Sequence, residues 1–233
     1  MPIPGFQGGS SVKQRVRDLP RVSLNVLSEY LVASPNRRRR LIEEQKKPRT
    51  FRVAYYSEAE ESITAYLITG DLAELQRGLE RIKIQEGDTD WEITRKLTCA
   101  DAIRSSMNLK LEFFEGYKAK RGLNRAQLSI GQVSVSVRPE ALLSHGASGS
   151  GKLGGIKLYI SKSERMTEER ARFAGAVLLR YLAELHRGVV DYRHCFVVDV
   201  FAGKVFIAPR TLKRRWQDVE AACREIALHW DSV

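Results

Sequence analysis

The sequence predicts an α/β fold: a small mixed β-sheet flanked by helices, with an αβββαβ-type core and a helical N-terminal part. Three observations predict it. Val133, Val135 and Val137 alternate with Ser134 and Ser136, the period of two of a strand with one buried face. Cys195 to Phe201, CFVVDVF, is an apolar run broken only by Asp199, as in strands covered on both faces. Upstream of both, apolar residues recur at helical spacing.

The chain divides into a flexible basic arm (1–21), a helical part packing on the core (22–108) and a sheet core with a C-terminal helix (109–233). Val22 to Val32 reads as a short helix with Leu24, Leu27 and Leu31 on one side. Ser34-Pro35 opens the next, since proline suits the first helical position. Ser57 and Glu60 form a capping box for a third helix. Asp71 and Glu74 repeat the pattern for a fourth. A fifth runs from Thr89 to Met107, with Trp91, Leu97, Ala100, Ile103 and Met107 on one face. Phe113 to Arg125 reads as a basic connector. Gln127 to Val137 is one long strand or a hairpin turning at Gly131-Gln132. Ala141 to His145 and Gly154 to Ile160 are the next strands. Thr167 caps a helix carrying Phe173, Val177, Tyr181, Leu182 and Leu185. The apolar run and Val205 to Ala208 form two more strands. A last helix carries Leu212, Trp216, Val219, Cys223, Ile226 and Trp230 along a seam.

A chain of 233 residues, 43% of them apolar, can bury a sizeable core. No window reaches the roughly 18 apolar residues of a membrane span. The stretch MPIPGFQGGSSVKQRVR lacks the apolar segment of a secretory signal. The expectation is a cytoplasmic chain with no membrane partner. Cys99, Cys195 and Cys223 lie far apart in apolar surroundings, as buried free thiols do.

The 39 lysines and arginines exceed the 28 acids, for a net charge of +11. That balance favours a polyanion, and nucleic acid, DNA or RNA, is the expected partner. Arg37, Arg38, Arg39, Arg40, Lys46, Lys47, Lys118, Lys120 and Arg121 are the expected phosphate contacts. Four arginines in a first helical turn oppose the helix dipole, so either phosphate compensates them or they fan out into water. Gly146 to Leu153 (GASGSGKL) nearly spells a phosphate-binding loop. Leu153 stands where Ser or Thr would hold magnesium, and a strand follows instead of a helix, so nucleotide hydrolysis is rejected. Asp199 sits within the apolar run and needs a lysine or arginine partner or a polar face. His145, His186, His194 and His229 show no metal-ligand spacing.

The order helix, three strands, helix, strand, over roughly Ser57 to Ala208, resembles the core of the PD-(D/E)XK nuclease superfamily. The stretches VRPEALL, GGIKLYISKS and HCFVVDVFAGKVF also resemble a group of bacterial proteins, which adds no activity. The nuclease resemblance sets Pro139-Glu140 at the first acid and Gly155-Ile156-Lys157 at the second acid and lysine. It implies Glu140 and Lys157 as catalytic residues and Glu140 as a metal ligand. Magnesium is the cofactor if the chain is catalytic, and no cofactor is otherwise certain. Gly155 departs from the pattern, for it supplies no carboxylate. Val177 departs too, where the helical Gln-X-X-X-Tyr element of related nucleases would put glutamine before Tyr181. A working site therefore needs a relocated acid: Glu168, Glu169, Glu58, Glu60 or Glu61. The expected function is a nucleic-acid-associated protein on a nuclease-like core with a degenerate metal site. The alternatives are an active magnesium-dependent nuclease, and a non-enzymatic scaffold with a protein partner or a homodimer through the Trp216 to Trp230 seam.

Overall fold

The computed structural model of the chain describes residues 16–48, 55–84, 89–109, 111–122, 127–146, 151–186 and 189–233. Local chemistry sets most helix starts. Ser23 Oγ accepts from Val26 N and opens α1, Leu24–Val32. Pro35 begins α2, Pro35–Lys46, where its missing N–H has no helical acceptor to lose. The capping box expected at Ser57 is not formed: Tyr56 is the N-cap of α3, Ser57–Thr69, and the Ser57 hydroxyl donates to Glu58. Asp71 Oδ1 accepts from Ala73 N at 2.9 Å and starts α4, Ala73–Ile84. A full capping box of Thr89 and Glu92 opens α5, Asp90–Ser106. Thr167 caps α6, Glu168–Leu185, and α7 is Lys213–His229.

The strands are β1 Arg21–Ser23, β2 Tyr117–Arg121, β3 Gln127–Ile130, β4 Val133–Ser136, β5 Ala141–His145, β6 Lys152–Tyr159, β7 Val190–Asp199 and β8 Lys204–Ile207. They form two sheets, ordered β1-β4-β3 and β2-β5-β6-β7-β8. The larger is mixed: β6 and β7 are parallel and joined through α6, and its other pairs are antiparallel. The first of the three expected core strands, Gln127 to Val137, instead forms the β3–β4 hairpin of the separate small sheet, and β2, from the expected connector, takes the place beside β5 in the larger one. The hairpin turns at Gly131, whose φ of 57° suits a residue without Cβ.

Helices cover both faces of the larger sheet. α3, α4 and α5 pack on Ala141, Leu143, Ile156, Leu158, Phe196 and Val198. α1, α6 and α7, with the small sheet, pack on Tyr159, Cys195 and Val197. Arg170 of α6, 3% exposed, ties α6 to α1 within the second of these layers: it donates to the Asn25 carbonyl at 3.1 Å and pairs with Glu29 of α1. All three cysteines are buried and free.

Several expectations are corrected. The connector at Phe113 to Arg125 contains β2, in which Tyr117 and Ala119 are half-buried and Lys118 and Lys120 exposed. Lysine on an edge strand discourages pairing with another chain, so its basic composition hid a strand. On α5, Ala100 and Ile103 are buried, but Trp91, Leu97 and Met107 are exposed. The Trp216 to Trp230 seam lies within the core, with Val219, Cys223, Ile226 and Trp230 buried, so it offers no homodimer face. Arg17 to Ser23 are tied down by β1 and by Arg17, which donates to the Lys46 and Gln45 carbonyls and accepts at its own carbonyl from Trp230 Nε1. The rest of the expected arm, 1–15, lies outside the described residues, as do 147–150 of the glycine-serine loop. Among the described residues, no helix is long and apolar enough to cross a membrane.

Candidate functional site

Glu140 does not end the Val133 strand as its sequence context implies: it lies four residues beyond β4 and directly before β5, in the other sheet. Its backbone is clamped: its N–H donates to Ile156 O of β6, and its carbonyl accepts from Gly122 N beyond β2, both at 2.9 Å. A Cβ on Gly122 would stand 1.8 Å from the Pro139 carbonyl oxygen, so glycine is required for this approach. Arg138, just upstream, holds a φ of 40°, strained for a residue with a side chain.

The fold brings Glu140 and Lys157 together. Lys157 Nζ contacts Glu140 Oε1 in a salt bridge and donates to Arg138 O at 2.9 Å. Glu140 Oε2 accepts from Leu158 N at 2.6 Å. Both side chains are buried. Burial pushes the Glu140 carboxyl above its ordinary range; Lys157 opposes this and the charge of Glu60 adds to it.

The pair forms the floor of a cleft of about 510 Å³. Arg21, Lys47 and Arg138 line it as cations, with Glu44 and Glu60 as counter-charges. Of the relocated acids weighed from sequence, only Glu60 lines this cleft, and it lies 3.6 Å from the Arg138 guanidinium. Glu58 is held by Arg95 at 2.5 Å, Glu61 faces Arg121 at 4.0 Å, and Glu168 and Glu169 pair with Arg172 and Arg215. Gly155 is close-packed: a Cβ there would meet the Ala141 carbonyl at 3.1 Å and Leu182 at 3.2 Å, leaving no room for a carboxylate.

A divalent cation does not fit this arrangement. Magnesium wants near-octahedral oxygen ligands, and both Glu140 oxygens are already used by Lys157 and Leu158. Among the described residues, no group of three His, Cys, Asp or Glu could hold a metal ion. Glu140 as a metal ligand therefore stands unsupported.

The nine expected phosphate contacts separate into two groups. Arg37 pairs with Glu29 and Glu44, Arg38 bonds the Tyr30 carbonyl and Glu225, and Lys46 donates to the Trp230 carbonyl at 2.8 Å. These three hold helices to one another. Internal acids, rather than phosphate, compensate Arg37 and Arg38 at the start of α2. Arg39 pairs with Glu43 along the helix, and Arg40 is exposed. Lys47 lines the cleft. Lys118 and Lys120 oppose Ser144 and Leu142 on β5, and so share a sheet face with Glu140. Arg121 ends the same strand. Arg21 and Arg138 were missed from sequence, although Arg138 directly precedes Pro139-Glu140. Only the β1–β4 pairing brings Arg21 beside them.

Two further groups complete the picture. Asp199, fully buried, has neither of its expected partners: it accepts from Met166 N at 2.7 Å and Ala202 N at 3.0 Å. It fixes the loop before α6 and the β7–β8 turn. His145 and His194 stack with ring centres 5.3 Å apart, and Tyr117 bonds His194 Nδ1. Burial pushes the His194 pKa down. No protein-family model and no curated protein matches the chain.

Proposed function

We propose that the chain is a nucleic-acid-associated protein on a nuclease-like core with a degenerate metal site. One observation carries this reading: cations from separate segments surround one cleft whose only buried carboxylate, among the described residues, is already satisfied by the protein. Arg21, Lys47 and Arg138 line the cleft, and Lys118 and Lys120 extend its sheet face along the β2 edge. A phosphate backbone crossing that face meets charge at each step, with Lys157 below. Lysine and arginine contacts of this kind position a strand without reading its sequence.

The test is duplex binding by the full chain over a series of salt concentrations. Each phosphate contact contributes about 0.9 to the slope of log affinity against log salt. Replacing Arg21, Lys47 and Lys120 with glutamine together should lower that slope by up to about 2.7. An unchanged slope sinks the cleft as the binding surface.

A magnesium-dependent nuclease is the second reading, favoured by Glu60 lining the same cleft as Glu140 and Lys157. Calorimetry with magnesium or manganese on wild type and Glu140→Gln separates the two. The degenerate reading expects no binding heat from either protein. Binding by wild type that is lost in Glu140→Gln would replace it with the nuclease.

A further inference from the structure

The outer edge of the sheet opposite β2 carries a second cavity, about 580 Å³, between β8, α6 and α7. Arg172 from α6, Arg210 after β8 and Arg215 from the first turn of α7 line it. Glu168 is the only acid among its described lining residues, and it is paired to Arg172. Arg210 is exposed and has no ion pair or hydrogen bond to another described residue. Arg215 lies 3.8 Å from Glu169 through Nη2, while its Nε is buried without a hydrogen-bond partner. The exposed part of its guanidinium, with Arg210 and Arg172, gives the cavity three cationic forks against one paired acid.

The start of α7 has the same imbalance. Lys213, Arg214 and Arg215 fill its first turn, no acid accompanies them, and the N-cap Leu212 offers no side-chain bond. The first amides of a helix lack internal acceptors and form its positive pole. Stacking three cations there is unfavourable unless an anion binds. α2 relieves a similar start with Glu29, Glu44 and Glu225, but α7 relies on Glu169 at a distance.

The lining is also apolar in part. Phe113 and Ile207 line the cavity and are 41% and 46% exposed. A cavity lined by both an exposed aromatic ring and guanidinium groups suits a ligand that is part flat and apolar, part anionic. Arginine forks match phosphate oxygens, and aromatic faces take bases of any sequence.

We propose that this cavity binds a nucleoside phosphate, with the phosphate on Arg172, Arg210 and Arg215 and the base against Phe113 and Ile207. The same chemistry is offered by a free nucleotide and by one nucleotide of a single strand.

The test uses the full chain with three probes: a short oligothymidylate, thymidine monophosphate and inorganic phosphate. The proposal expects Arg210→Gln with Arg215→Gln to weaken oligothymidylate binding about tenfold or more and to lower its salt slope by about 0.7 per lost contact. Phe113→Ala should weaken it about tenfold with the slope unchanged. Arg210→Gln alone removes no internal bond, so its effect cannot come from misfolding. Monophosphate binding that follows the same variants assigns the cavity to free nucleotides, and binding of the oligomer alone assigns it to a strand. Wild-type binding by Arg210→Gln and Phe113→Ala overturns the proposal. So does an absence of binding to all three probes, or phosphate binding indifferent to Phe113→Ala. The cleft variants separate the two surfaces. If they leave the duplex slope unchanged while Arg210→Gln weakens the oligomer, the cleft reading falls and this one stands. The reverse result removes only this one.

Discussion

Glu140 and Asp199 are both buried carboxylates at ends of strands in one sheet, and their partners set them apart. Asp199 is held by two backbone amides, Met166 N and Ala202 N, at a turn away from either cavity described above. Glu140 is held by one amide and one lysine, at the floor of a cleft with cations on its rim. Amides are fixed by the fold and cannot leave. A lysine can, and the carboxylate it leaves has no other charge partner. A carboxylate that only shapes a turn is satisfied by backbone; one kept beside a lysine in a cleft retains a state that can change.

The largest effect should come from breaking that pair. Lys157→Met leaves Glu140 buried without its cation and should cost about 3–5 kcal/mol of stability at neutral pH. Adding Glu140→Gln should restore most of it. Urea unfolding of the single and double variants measures both. A double variant no more stable than Lys157→Met would show that the lysine packs the cleft floor rather than neutralising an acid.

Asp199→Ala comes next. It orphans two buried amides at about 1–3 kcal/mol each, so the loss should be about 2–4 kcal/mol once the loops relax. The loss should be local, with hydrogen exchange rising first at Met166 and Ala202. Unchanged protection there would contradict the turn-fixing role.

The pH dependence sharpens the contrast. Burial raises the Glu140 pKa in the fold above its ordinary value of 4.5. The folded chain then holds a proton at a pH where the unfolded chain has lost it. The resulting stabilisation is complete below the unfolded pKa and fades as pH rises through the folded one. Wild type should therefore gain stability relative to Glu140→Gln as the pH falls from neutral towards 4.5. Unfolding curves of the two proteins that stay parallel across that window would mean Lys157 outweighs burial.

Much of the fold was legible because periodicity reports burial. The β4 alternation, the β7 run and the α7 seam each lie where their pattern points. β2 was illegible because its alternation is lysine against half-buried tyrosine and alanine, with little apolar contrast. The Ser57 box failed because the pattern also fits a serine already inside the helix, and backbone geometry chose Tyr56. At the site, Glu140 and Lys157 were named only through the resemblance, and Glu60 was offered among five acids. Which acid reaches the cleft depends on how α3 crosses the sheet, a long-range fact. The arginine groups misled for the same reason: charge is read from sequence, but the acid opposite it is not.

Arg38 and Arg39 give the smallest effects. They are neighbours in a run of four arginines, yet they are not equivalent. Arg38 stacks 5.2 Å from the Tyr30 ring centre, bonds the Tyr30 and Leu31 carbonyls at the end of α1, and reaches Glu225 of α7 at 3.2 Å. It closes open carbonyls at the negative end of a helix. Its side chain is a third exposed, so solvent screens its ion pair and Arg38→Gln should cost only about 1 kcal/mol. Arg39 is 73% exposed and pairs with Glu43 within its own helix. Arg39→Gln should change stability by less than about 0.5 kcal/mol. Neither variant should alter the duplex salt slope by as much as one cleft cation does. A slope that falls by about 0.9 in Arg39→Gln would extend the binding surface onto α2.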